Sequence, residues 1–103
     1  MIGRLALAVA LCLVGAGPAP AQAPSPRCPG YAAAWAAAQA RFGLQGIGAG
    51  FIDAHEAFLA SGCRRRAAIC PQGEAETRLA DAMTIAAMNA GAASSFVPFR
   101  CPG

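Results

Sequence analysis

Four cysteines, Cys28, Cys63, Cys70 and Cys101, constrain this chain more than any other feature. An even set of widely spaced cysteines in a small exported chain predicts two disulfides. Metal ligation is the competing use. The gaps are long, however, and no Cys-x-x-Cys pair or histidine cluster accompanies them, so neither a metal nor another cofactor is expected. The same spacing argues against a thiol-redox role.

Export is predicted from the first segment. Arg4 precedes an apolar run from Leu5 to Val14, and a zone of Gly, Pro and Ala follows. This is the layout of a secretory signal peptide over residues 1–21, with Cys12 discarded in it. The run stops at Gly15, Gly17 and Pro18, short of the roughly 20 apolar residues a membrane span requires. Cleavage fits after Ala21 or after Ala23, and Pro24 directly behind the second site favours the first. Beyond residue 21, seven arginines and no lysine stand against five acids, a net charge of +2. A nucleic-acid binder would need a more concentrated basic face, so nucleic acid is not an expected partner. Arginine without lysine, beside abundant Ala and Gly, fits a GC-rich bacterial genome, so the expected destination is the periplasm or the medium.

The chain has 103 residues, which allows one domain and excludes doubly wound nucleotide-binding folds and barrels. Residues 22–30 are Pro-rich and predict an extended lead into a single domain over 31–103. Tyr31, Trp35, Ala38 and Phe42 form one stripe of a first helix that Gly43 ends. Gly43 to Gly50 lacks the strand before it and the Lys-Ser/Thr after it that a phosphate-cradling loop needs, so it predicts a flexible turn. A second helix is expected from Phe51 to Cys63 and a third from Pro71 to Gly91. The tail carries Phe96, Val97 and Phe99 around Pro98 and predicts an apolar strap clamped by Cys101. The expected fold is therefore all-α, a small three-helix bundle stapled by two disulfides, with an extended C-terminal strap. Up, down, up packing would gather Cys28, Cys63 and Cys70 at one end, with Cys101 within reach. All three pairings remain open. The tetrapeptide Arg-Cys-Pro-Gly, repeated at 27–30 and 100–103, favours Cys28 with Cys101 and Cys63 with Cys70.

Two groups of residues invite a functional reading. His55 lies in the middle of the apolar arc of the second helix, about 160° from Asp53, so the two cannot ligate one metal or pair directly. It predicts either a core histidine with a hydrogen-bonded partner or a contact that opens when the ring is charged. Arg64, Arg65 and Arg66 follow Cys63. They predict either a solvated run that complements a helix dipole or an anion contact for a phosphate, a lipid headgroup or an acidic protein. No nucleophile elbow, triad or carboxylate pair is present, so no catalytic residue is expected.

The expected work is binding to a protein in the cell envelope, as an accessory, inhibitor or immunity-type module, with homo-oligomerisation also open to it. The motivating feature is surplus apolar surface on the second and third helices. The layout over residues 48–101 broadly resembles that of disulfide-stapled periplasmic immunity proteins, which implies a protein-binding role. The alternative is a cationic envelope- or membrane-associated peptide acting through Arg64 to Arg66, which the modest charge and the glutamates of the third helix weaken.

Overall fold

The computed structural model describes residues 23–65 and 67–102; the segment read as a signal peptide, residues 1–21, and Arg66 lie outside the described residues. Three α-helices form, α1 (Cys28–Phe42), α2 (Ala49–Ala60) and α3 (Gly73–Asn89), followed by a 3-10 turn at Ser94–Phe96. Helix α1 starts three residues before the expected Tyr31 because Pro29 falls in its first turn, where a missing N–H is harmless. The extended lead is correspondingly shorter. Within it, Ser25 is buried and its N–H donates to the Gly62 carbonyl at 2.9 Å.

Side-chain pairs fix the directions. Cys28 meets Cys63, Tyr31 meets Phe58 and His55, and Trp35 meets His55 and Glu56, so α2 runs antiparallel to α1. Arg27, just before α1, donates to the Ala90 carbonyl at 3.0 Å. At the other end Phe42 and Gly43 share a cleft with Ala75, Arg78 and Leu79, so α3 is also antiparallel to α1. Helices α2 and α3 therefore start at the same end of the molecule. Up, down, up is not the path.

The segment from Cys63 to Gln72 makes the return as a crossover. Its nine Cα–Cα steps reach up to about 30 Å when extended, more than the roughly 18 Å length of a 12-residue helix. The crossover moves Cys70 away from Cys63, which overturns the favoured pairing. The disulfides are Cys28–Cys63 at one end and Cys70–Cys101 at the other. The strap behaves as expected. It runs alongside the crossover in the same direction, with Ile69 N–H donating to the Pro98 carbonyl (2.8 Å) and Arg100 N–H to the Ile69 carbonyl (3.0 Å). Within it, Val97 and Pro98 are buried.

The core holds Tyr31, Trp35 and Ala38 of α1, Phe51 and Phe58 of α2, and Leu79, Ala80, Met83 and Ala87 of α3. Glu76 belongs to the same stripe of α3 and is only 6% exposed. Its two oxygens do separate jobs. Oε1 accepts the Gln72 N–H (2.9 Å) and Oε2 the Gly48 N–H (2.7 Å), the N-cap residues of α3 and α2. One carboxylate thus satisfies an orphan donor on two helices and sits where both dipoles favour negative charge. A Cβ on Gly48 would approach Oε2 to 3.1 Å, so the glycine makes room for the contact. The glycine-rich link is a turn over residues 43–48, shorter than expected because Ala49 and Gly50 already belong to α2, and it is fastened to α3.

Candidate functional site

A polar concavity lies at the Cys28–Cys63 end. It is a cleft of about 160 Å³ with Phe58, Phe96, Val97 and Pro98 as apolar lining and Arg64, Arg65, Arg100 and Ser95 as polar lining. Local structure places each arginine. Helix α2 ends at Ser61, whose hydroxyl donates to the Phe58 carbonyl (2.6 Å) and accepts the N–H groups of Arg64 (3.2 Å) and Arg65 (2.8 Å). Gly62 and Cys63 both turn left-handed, with φ of 73° and 61°. A Cβ on Gly62 would come within 2.8 Å of Pro24 Cα, so glycine is required there. Cys63 tolerates the conformation because its disulfide and the bond from its N–H to the Phe58 carbonyl hold it.

The turn projects the arginines sideways. Arg64 Nε donates to the Ala23 carbonyl at 3.0 Å, and Arg100, arriving on the strap, donates to the Ser95 carbonyl at 3.4 Å. The carbonyls of Ala57, Phe58 and Leu59 near the end of α2 are taken by the N–H groups of Ser61, Gly62 and Cys63 rather than by arginine side chains. None of the residues lining the cleft is acidic. The last turn of α2 and the last two turns of α3 reach the same end and carry no carboxylate. Positive charge is concentrated here and the acids lie elsewhere. Arg66, the third residue of the expected contact, lies outside the described residues.

His55 does not join the arginines. It is wholly buried in an aromatic shell, stacked on Phe99 with ring centroids 5.6 Å apart and tilted against Trp35 at 4.2 Å. Its Nε2 and the Tyr31 hydroxyl are 2.7 Å apart, and its Nδ1 has no partner. The neutral pair carries two polar hydrogens and shares one hydrogen bond. If the phenol donates, the proton on Nδ1 is left over; if Nε2–H donates, the phenol proton is left over. Burial lowers the His55 pKa from its ordinary 6.5 to about 4, against a smaller opposing effect of the Glu56 carboxylate. The same burial raises the Tyr31 phenol above its usual range. Of the two readings of His55, the core one describes its place, and its charging falls nearer pH 4 than pH 6.

The apolar surplus is distributed differently from the expectation. Phe51 and Phe58 of α2 are buried, whereas Ile85 and Met88 of α3 are 55% and 46% exposed. Among the described residues no helix is long and apolar enough to cross a membrane, and no cluster of three potential metal ligands forms. The two disulfides are consistent with an oxidising compartment. Glu76 and Arg100 were both missed by sequence reasoning. Glu76 had a signal, since it continues the stripe of Leu79, Ala80, Met83 and Ala87 at helical spacing. Arg100 had none, because only the return of the strap brings it to Arg64. Comparison with family models, with curated proteins and with solved structures finds no match for this chain.

Proposed function

We propose that this chain is a small exported binding module of the cell envelope that acts by holding an anionic protein partner rather than by catalysis. In this reading residues 1–21 are the leader, removed after Ala21, and the two disulfides form after export. The observation that carries it is the Arg64, Arg65 and Arg100 cleft, which lacks any acidic residue and is braced from below by the Cys28–Cys63 bond. Guanidinium groups recognise a carboxylate or phosphate through two parallel hydrogen bonds, and Arg64, Arg65 and Arg100 are all exposed to an incoming anion. Concentrated positive charge at one end also steers an anionic partner into register.

The second reading is attachment to an anionic lipid surface through the same arginines. A plane of headgroups would press on exposed tips, whereas this surface is concave, which favours a partner that inserts a group. Cross-linking of the native chain in its own envelope, set beside binding to phosphatidylglycerol vesicles, separates the two. The binding-module reading expects a specific cross-linked protein that disappears with Arg64→Gln, Arg65→Gln and Arg100→Gln together, and no vesicle binding. Cross-linking indifferent to these changes would overturn it.

A further inference from the structure

Resting on that reading for its consequence, we infer that protonation of His55 lifts the C-terminal strap off the core and takes the arginine cleft apart, so that an anionic partner is held at neutral pH and released in acid. The strap roofs the Tyr31–His55 pair. Phe99 stacks on the His55 ring at 5.6 Å with 6° between the planes, and Phe96 meets Tyr31 edge-on at 5.4 Å. Both phenylalanines are half-buried, whereas Tyr31 and His55 are buried beneath them. The same strap builds one side of the cleft, through Ser95, Phe96, Val97, Pro98 and Arg100. A single segment therefore covers the titratable pair and carries part of the anion site.

Charging the ring leaves it without a counter-ion. Its Nε2–H can still donate to the Tyr31 oxygen, but Nδ1–H meets no acceptor, and the charge sits among Trp35, Phe51, Phe58 and Phe99. The charged groups around it do not compensate. On its own helix, Glu56 is exposed and accepts the Trp35 indole N–H at 2.7 Å, and Asp53 lies on the opposite side. From α1 the Tyr31 phenol faces it. On α3 the buried acid is Glu76, held at Gly48, about two turns away along α2. The crossover and the strap bring Arg64, Arg65 and Arg100, all cations. Water must therefore reach the charged ring, and the strap is what yields. Among the described residues two backbone hydrogen bonds, Ile69 N–H to Pro98 and Arg100 N–H to Ile69, tie residues 93–100 to the rest of the chain. The Cys70–Cys101 bond tethers a lifted strap, and Cys28–Cys63 keeps α1 and α2 joined. Under the strap the His55 pKa is about 4, and in the open form it returns towards 6.5, so the open form binds the proton more tightly and gains population as pH falls between those values.

An NMR titration of the native, oxidised chain from about pH 7.5 to about pH 3.5 tests this. The His55 ring and the Ile69 and Arg100 amides are expected to move with one shared midpoint, while the amides of α1 and α3 keep their native dispersion. His55→Gln, which stays neutral and can still bond Tyr31, should leave the strap amides unmoved over the same range. A strap that stays in place to the end of the titration, one that comes away only together with the helices, or one that still lifts in His55→Gln would each overturn the inference. The native titration decides by itself if the Gln chain does not fold. In the envelope, the arginine-dependent cross-link formed at neutral pH should fall at least roughly tenfold at the acid end of the transition and persist there in His55→Gln. Absence of any arginine-dependent cross-link at neutral pH would defeat the anionic-partner reading and leave the strap titration standing. A cross-link that survives with the strap lifted would overturn the coupling and leave that reading in force.

Discussion

The two ends of the bundle do the same mechanical job with opposite materials. At one end Cys28 and Cys63 are 7% and 6% exposed, and an exposed arginine, Arg27, meets the C-terminal carbonyl of α3. At the other end the Cys70–Cys101 bond lies at the surface, and the buried group is a carboxylate, Glu76, that serves two helix N-termini. The first end is therefore closed by a covalent bond in the core and left positive outside, which makes it suitable as a binding surface. The second is closed by buried charge, with its covalent bond outside.

Loop entropy does not distinguish the two bonds. They close 35 and 31 residues and should contribute about 4 kcal/mol each in the chain-entropy model. Burial should. Replacing Cys28 and Cys63 by Ala is expected to cost about 5 kcal/mol, the excess being lost packing, and to leave the chain largely unfolded in circular dichroism. Replacing Cys70 and Cys101 should cost about 4 kcal/mol, with the remaining fold detectable in the same assay. Graded reduction followed by alkylation should open Cys70–Cys101 first, because an attacking thiolate can reach it. Opening in the reverse order would break the comparison.

Between the two ends, His55 sets the pH dependence. Its pKa is lower in the folded chain, about 4, than the ordinary 6.5 of an unfolded one, so the unfolded state binds the proton more readily. Stability is thus full above pH 6.5, falls as pH drops towards 4, and loses no more to this residue below that. The loss is on the order of 3 kcal/mol. Melting temperatures across this range should fall in the native chain, and His55→Phe should remove that part of the slope. Smaller again, Glu76→Gln keeps one acceptor and should cost about 2 kcal/mol, read by urea unfolding. Arg27→Gln, the exposed counterpart at the opposite end, should cost roughly 0.5 kcal/mol. Equal costs would show that burial is not what separates the two ends.

The sequence made the helices legible through short-range spacing: aromatic residues of α1 at 31, 35 and 42, and the apolar arc of α2 with His55 inside it. The strap was legible from Phe96, Val97, Pro98 and Phe99 between helix stop and final cysteine. The pairing of the cysteines was not, because it depends on the direction in which residues 63–72 leave α2, and that direction is set by contacts of Ile69 with Pro98 and Arg100 from the far end of the chain. Half of the candidate site shares this origin. Arg64 and Arg65 are conspicuous as a run, whereas Arg100 reaches the cleft only through that long-range pairing. Glu76 stands in the first turn of α3, where a helix dipole favours an acid. Its place on the core stripe signals burial, and its second partner, Gly48, comes from the fold.

Disulfide mapping of the native chain tests this arrangement most directly, because cleavage after Arg64 separates Cys63 from Cys70. The account predicts one linked pair joining the peptide that starts at Cys28 to the peptide ending at Arg64, and another joining Ala67–Arg78 to the peptide that starts at Cys101. A bond between Cys63 and Cys70 would place both at one end, remove the crossover, and contradict the geometry on which the arginine cleft depends.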